Sequence, residues 1–381
     1  MSFSFSDILY LFVLFLLLFI AIFLFTADRG KKISNVLLAL FFLALWLNLT
    51  DNFLLLKQFY LQFPQWGLWG SSMLLLCGPL LFFYVRSVLY KQHVFTKKSW
   101  LHFLPFLLLL LATETGFLSA GERMQMQIMQ DILNRKLPSQ IYLGGNFIYL
   151  HFTAYLIASL LLLKKYQKAA VNQFSNAQHI TLNWLKTLVF FFLFLLVFGA
   201  VNSYLLLTGP AGAYFVALSL LIVVLLLFIV FVLMKALNHP GMFSGWEEQA
   251  VQENVQPPKY AGAGLGENEK QLVLQNIQQY MQLHKPYLDP ELTLDDLSVK
   301  MKLKPKIVSQ IINEMLEQNF FEFINTYRIE EAKRLLTKPK DKKITVLEVM
   351  YDVGFNSKSS FNTLFKKYTG ITPTEFRKQH A

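Results

Sequence analysis

Residues Tyr351–Arg377 read YDVGFNSKSSFNTLFKKYTGITPTEFR, which parses as a helix end, a tight turn, a second helix and a closing loop. Gly354 stands where the first helix must end in a left-handed backbone, a conformation that costs glycine little. Asn356 or Ser357 caps the next helix, its side-chain oxygen accepting a free N-terminal amide. Phe361, Leu364, Phe365 and Tyr368 recur at helical spacing and define one apolar face. The opposite face carries Lys358, Ser359, Asn362, Thr363, Lys366 and Lys367. Short polar side chains between lysines suit a helix lying in a DNA major groove, bases read by the former and phosphates held by the latter.

The same grammar extends upstream. Leu272, Ile277, Tyr280 and Met281 form the stripe of a lead-in helix that ends before Pro286. Thr293, followed by Asp295 and Asp296, marks a helix start through capping and favourable charge at the dipole's positive end. Leu294, Leu297 and Met301 face its core. Pro305 opens the next helix, where a missing amide does no harm. Val308, Ile311, Ile312 and Met315 are the buried side of that helix; Lys306, Ser309, Gln310 and Asn313 are expected on its open side as a first recognition surface. A connector, FFEFINTYRIEEAKRLL at Phe320–Leu336, offers Phe321, Ile324, Ile329, Ala332, Leu335 and Leu336 to join two cores. Ile344, Val346, Val349, Met350 and Val353 then make the support helix of the second half.

These residues resemble the AraC/XylS-type helix-turn-helix family. The resemblance rests on VGF at Val353–Phe355, SxSxFNxxFKKYTG at Ser357–Gly370, TPxEFR at Thr372–Arg377 and NTYRIEEAKRLL at Asn325–Leu336, and it reaches back to about Leu272. It implies a double helix-turn-helix domain that binds double-stranded DNA, with no cofactor. The chain departs from the family at Met350, where a small alanine is usual, and near Glu317, where a glycine usually ends the helix.

Composition sets the rest apart. The 381 residues are 54% hydrophobic and only 15% charged, well under the quarter typical of soluble domains. The excess apolar residues fall before residue 236, in runs long enough to cross a lipid bilayer. Seven candidate spans follow: Ile8–Phe25, Ile33–Leu56, Trp66–Val85, Leu101–Leu118, Ile141–Leu163, Leu185–Leu207 and Tyr214–Met234. The first lacks a leading positive segment, so it reads as a span and not a cleavable signal. With the N-terminus outside, alternate connections carry 12 basic residues inside, Lys186 at the start of the sixth span included, against 4 outside, as the positive-inside rule asks. An odd number of spans then leaves the C-terminus in the cytoplasm, beside the chromosome.

Polar residues in the spans are sparse. Asp51 (with Asn48 and Asn52), Glu114, His151 and Asn202 form a candidate outward-facing sensor cluster for a small-molecule or membrane signal; the plainer reading is interhelical hydrogen bonding. Pro79 and Pro105 read as local kinks. The outer loop Ser119–Gln140 carries Met124, Ile128, Ile132 and Leu133 at helical spacing, which suits either the membrane surface or a connecting helix.

Between Ala236 and Asn268 three prolines and alternating glycines remove any helix or strand period, so the stretch reads as a tether. About 33 residues of coil hold their ends roughly 30 Å apart. Beyond it charge is uneven: 11 basic against 4 acidic residues from Ala332 onward, but 7 against 10 from Glu269 to Glu331. The basic half is the one with the fuller motif, which favours phosphate contact there.

The expectation is an all-α chain: a seven-span bundle at 1–235, a flexible linker at 236–268, and a cytoplasmic DNA-binding domain at 269–381. It describes a membrane-tethered transcriptional regulator that acts as a homodimer on repeated half-sites. The competing reading is a receptor or transporter whose helix-turn-helix domain binds protein. An enzyme is disfavoured. The 7 histidines form no HxxxH or HExxH pair, no phosphate-binding glycine loop or nucleophile motif occurs, and the lone Cys77 sits in an apolar span.

Overall fold

The computed structural model describes residues 4–27, 32–67, 69–90, 95–134, 136, 139–176, 182–208, 210–238, 266–337 and 344–380. Among them the chain is helical and forms no sheet, with an isolated antiparallel bridge between Phe174 and Thr293. It divides into two compact units, one of Met1–Leu163 and Trp184–Glu253, the other of Lys164–Asn183 and Asn254–Ala381. The boundary differs from a simple split at the linker, because Lys164–Asn183 packs with the C-terminal unit.

The N-terminal unit contains α1 (Phe5–Thr26), α2 (Lys32–Leu56), α3 (Leu74–Leu89), α4 (Leu104–Leu118), α5 (Glu122–Leu133), most of α6 (Ser139–Ala170), α7 (Asn183–Thr208) and α8 (Ala211–Asn238). Among the described residues, six helices are long and apolar enough to cross a membrane by length and composition. The expected third span is shorter: α3 has 16 residues and is preceded by separate 3-10 turns at Pro64–Trp66 and Ser71–Met73. Glycines and a proline in PQWGLWGSS break the helix there. Pro79 lies inside α3, whereas Pro105 occupies the first turn of α4, where it kinks nothing. Aromatic rings fill the interior, with Phe41 edge-on to Phe192 at 4.8 Å. The amphipathic α5 buries Met129 against Tyr60 and Phe117. It is therefore a connecting helix docked on its own unit, with Met124 left exposed.

The C-terminal unit is built from α9 (Glu267–His284), α10 (Leu294–Lys300), α11 (Pro305–Leu316), α12 (Phe320–Leu336), α13 (Val346–Asp352), α14 (Lys358–Thr369) and α15 (Pro373–His380), with the end of α6 and the segment after it. The expected linker narrows, since α8 runs to Asn238 and α9 starts at Glu267; residues 239–265 lie outside the described residues. Local chemistry sets the helix starts. Thr293 with Asp296, Asn319 with Glu322, and Thr345 with Glu348 each form a capping box, which satisfies two otherwise orphaned amides apiece. In α9, Ile277 and Met281 are fully buried, but Leu272 faces solvent and Val273 and Leu274 pack in its place.

Two cores result, and α12 serves both. Phe320, Phe323 and Ile324 join Leu297, Val308, Ile311 and Ile312 in the first. Ile329, Ala332 and Leu336 join Val349, Met350, Phe361 and Phe365 in the second. Between them lies Arg328, 1% exposed. Its Nε donates to the Tyr287 carbonyl and its Nη2 to the Asp289 carbonyl, both at 2.7 Å, and its guanidinium lies 5.6 Å from the Phe355 ring centre. Burial pushes this guanidinium down to about 10, so it stays charged at neutral pH.

Two stability predictions arise here. Glu317 ends α11 with φ +54 where the resembled family has glycine. Left-handed backbone costs a non-glycine residue about 1–2 kcal/mol, partly offset by glycine's unfolded-state entropy. Glu317→Gly should therefore stabilise the unit by about 0.5–1 kcal/mol in thermal unfolding; a lower midpoint would contradict the strain argument. Glu331 accepts from Arg334 and from Lys285, and the Arg334 bond first, then that from Lys285, holds its carboxyl down to about 2. A depressed carboxylate stabilises the fold above its ordinary pKa and loses that contribution as pH falls toward 2. Melting points measured through that window should fall less steeply for Glu331→Gln than for the parent.

Candidate nucleic-acid interface

Helix α14 is held from behind and open in front. Phe361 and Phe365 are buried, with ring centres 5.6 Å apart, and Leu364 is nearly so. Ser357 is the N-cap, its Oγ 3.4 Å from the Ser360 amide and 3.0 Å from the Ser359 hydroxyl. Gly370 ends the helix at φ +81. Lys358, Ser359, Thr363, Lys366 and Lys367 are exposed, and Asn362 is half-buried at the rim. Tyr368, expected in the apolar face, instead sits at its edge, 37% exposed. Lys367 is turned toward Glu322 at 3.6 Å, so part of its charge is already balanced. Lys366 has no ion pair among the described contacts and points its charge outward.

The turn before α14 is fixed by contact with the first half. Gly354 adopts φ +87, and a Cβ there would fall 2.7 Å from the Tyr287 carbonyl oxygen and 2.8 Å from that of Leu288. Asn356 is exposed and donates to Glu291 at 2.9 Å, so Ser357 alone serves as the cap.

The first recognition surface differs from expectation. Lys306 is exposed and Asn313 half-exposed, but Ser309 and Gln310 are 8% and 4% exposed. Helix α9 packs across α11 and covers this side. Gln310 donates to the Glu314 carboxylate at 3.1 Å, and Glu314 in turn pairs with Lys270 of α9 at 3.1 Å. The Asn313 amide bends back to the Ser309 carbonyl at 2.6 Å. Ser309 and Gln310 are thus corrected from open-face residues to residues of the α9–α11 seam. Helical periodicity places them correctly around α11 but carries no information about which helix lies over that side.

The segment after Gly370, expected as a loop, is helix α15. Thr372 and Glu375 bond reciprocally, the Thr372 amide donating to the Glu375 carboxylate at 2.8 Å. Pro373 follows the cap, and Phe376 packs on Phe365 with ring centres 5.4 Å apart. The Thr-x-x-Glu spacing with proline at the first position was the available signal. The lysine run 338–343 lies outside the described residues, apart from its flanks.

The polar residues of the N-terminal unit have separate surroundings. Asp51 is 6% exposed and accepts from Tyr60 at 2.8 Å, whose hydroxyl accepts from Trp69 at 3.1 Å. His151 lies 5.0 Å, ring to ring, from Tyr155, which is 2.6 Å from Nδ1 of His102. Asn202 is 6% exposed. Among the described residues the His151 and Asn202 side chains make no hydrogen bond, so neither is joined that way to the other or to Asp51. The Glu114 side chain lies outside the described residues. His102 carries no local signal in the sequence, because its partner is 53 positions away.

Residues 297–379 match the family described as a helix-turn-helix domain. The chain is 32% identical over 109 residues to the uncharacterized HTH-type transcriptional regulator YisR of Bacillus subtilis, covering 29% of this chain and 36% of that protein. It is 29% identical over 90 residues to the melibiose operon regulatory protein of Escherichia coli, covering 24% of this chain and 29% of that protein. The chain thus spans about a third of the length of these curated relatives. Among solved structures, the C-terminal domain of AraT, a response regulator from Geobacillus stearothermophilus, is similar at 26% identity, over 28% of this chain and 84% of that one, with a TM-score of 0.25.

Proposed function

We propose that this chain, whose residues 297–379 form a helix-turn-helix domain of the AraC type, is a membrane-tethered, sequence-specific DNA-binding transcriptional regulator. The observation that carries the reading is the free face of α14. Lys358, Ser359, Thr363 and Lys366 are exposed together on a helix whose other side is locked into the second core. Such a face meets the needs of groove reading, while α12 holds the two halves as one body. The names of the relatives, regulators of operons, support the same reading. From α11, Lys306 and Asn313 remain available; Ser309 and Gln310 act as seam residues.

In this reading the N-terminal unit lies in the lipid bilayer as seven spans with the short α3 as the third, a reading supported by six described helices long and apolar enough to cross a membrane. The N-terminus is outside and the DNA-binding domain in the cytoplasm. The unit senses a small-molecule or membrane signal, and two copies on repeated half-sites raise each other's local concentration. Crosslinking the full-length protein to chromosomal DNA in its own cell and mapping the recovered fragments tests the core of this. Enrichment at discrete promoters is expected; none would leave the helix-turn-helix domain as a protein-binding module.

Two substitutions separate the roles of the face. Lys366→Ala should weaken binding to all duplexes alike and flatten the log–log salt dependence by about one unit. Ser359→Ala should leave that slope intact and relax preference at one base position, worth about 1–3 kcal/mol of discrimination. An unchanged slope for Lys366→Ala would remove it from the phosphate contacts.

A further inference from the structure

The segment that follows α6 is part of the DNA-binding domain's surface. Phe174, Ser175 and Asn176 are at most 6% exposed. The Val171 carbonyl accepts from the Phe321 amide at 3.0 Å, and the Gln173 carbonyl from the Leu294 amide at 2.9 Å. These two amides open α12 and α10, and first-turn amides have no partner within their own helix. One short strand of chain therefore completes the starts of two helices in the first helix-turn-helix. Ser175 goes further in. Its Oγ donates to the Leu292 carbonyl at 2.6 Å and accepts from Nη2 of Arg328 at 3.0 Å, while its carbonyl accepts from Asn325 and from Nη1 of Arg328, each at 3.1 Å.

The segment also reaches the second half. Asn176 donates to Glu291 at 3.0 Å, and the same carboxylate oxygen accepts from Asn356 at 2.9 Å. Asn356 precedes the cap of α14. Glu291 therefore places a carboxylate beside the start of the recognition helix and engages the amide of Asn356. Helix starts favour phosphate, and a fixed carboxylate there opposes it.

We propose that Val171–Asn176 is a docking strap whose seat on the DNA-binding domain, made by Leu292–Thr293, Asn325 and Arg328, is the contact through which α6 restrains DNA binding. It rests on the regulator reading above and adds the route of control. With the strap seated, Glu291 is held on Asn356 and the domain stays tied to the end of α6. A signal that moves α6 withdraws the strap, releases Asn356 and lets α14 meet phosphate. The coupling needs no contact beyond chain continuity, because Val171 directly follows Ala170, the last residue of α6.

The test uses full-length protein in lipid nanodiscs with a pool of random-sequence duplexes. Retention of duplex at low salt by the parent or by a strap variant comes first; its absence from the parent and from every variant would sink the regulator reading itself. Ser175→Ala with Asn176→Ala should then bind at least about five-fold tighter, the low end of ordinary coupling between sites, and the Leu294 and Phe321 amides should exchange faster. A second variant, Phe174→Cys with Thr293→Cys, uses the antiparallel bridge, whose partners stand close enough for a disulfide. Its oxidised form should bind more weakly than the same protein reduced, a comparison that cancels the effect of the substitutions themselves. Equal affinity of the redox pair, or alanine variants that bind no tighter than the parent, would overturn the strap as a restraint.

Discussion

Arg328→Ala should destabilise the C-terminal unit by about 3–5 kcal/mol, the usual effect of deleting a buried, hydrogen-bonded charge. The side chain is enclosed, and its donors go to the carbonyls of Tyr287, Asp289 and Ser175 and to the Ser175 hydroxyl. Each charge-assisted bond contributes about 1.5–3 kcal/mol, and carbonyls left without donors in the interior lose more. The terms do not simply add, because relieving the desolvation of the charge returns part of the loss. Arg328→Lys tests geometry apart from charge. A lysine has three donors on one nitrogen and cannot span acceptors that a planar fork reaches in several directions. The lysine variant should therefore recover less than half of the lost stability in thermal unfolding of the full-length protein. Melting at the parent temperature would show that charge alone suffices and that the fork does not organise the junction.

Gly354→Ala should reduce stability by about 3 kcal/mol or more, as left-handed strain and overpacking combine. A methyl at φ +87 would meet the Tyr287 and Leu288 carbonyl oxygens inside 3 Å. Those atoms are backbone, and the Tyr287 oxygen is pinned by Arg328, so the contact has nowhere to relax. The α13–α14 turn has to lift from the first half, carrying the recognition helix with it. DNA affinity should consequently fall more than ten-fold even under conditions where the variant is fully folded. The measurement is duplex retention beside circular dichroism at the same temperature. Folded variant with parental affinity would mean that the two helix-turn-helix halves need no fixed spacing.

Both effects converge on one junction, where the turn at Pro286–Leu288, the start of α14 and the strap after α6 meet around a single guanidinium. The sequence marks its parts without marking the meeting. Gly354 is legible because only a left-handed position explains glycine between a helix and its neighbour. The capping residues Thr293, Thr345 and Ser357 are legible because their spacing to the next helix is local. The missed α15 belongs to this legible class as well, since Thr372 and Glu375 carry their own capping signal.

Other features could not be read in that way. Ser309 and Gln310 lie on the polar side of α11 by periodicity, and only the passage of α9 over them decides that they are covered. Asp51, His151 and Asn202 share a polarity in the apolar helices, yet the partners of Asp51 lie beyond its own helix, and the ring beside His151, though one helical turn away, is bonded to His102 at a distance that no spacing rule connects. Val171–Asn176 has no helical or strand period at all; its role comes from hydrogen bonds to residues more than a hundred positions away.

The amino-acid order by itself determined the helical class, the apolar first half, the helix-turn-helix domain and the exposed polar face of α14. Each of these follows from interactions within a few residues along the chain. Tertiary structure alone decided that α9 closes one side of α11, that Arg328 joins the two halves, and that the chain after α6 seats on the C-terminal unit. Those outcomes depend on which distant backbone groups are left without partners once the helices have formed, a quantity that exists only after packing.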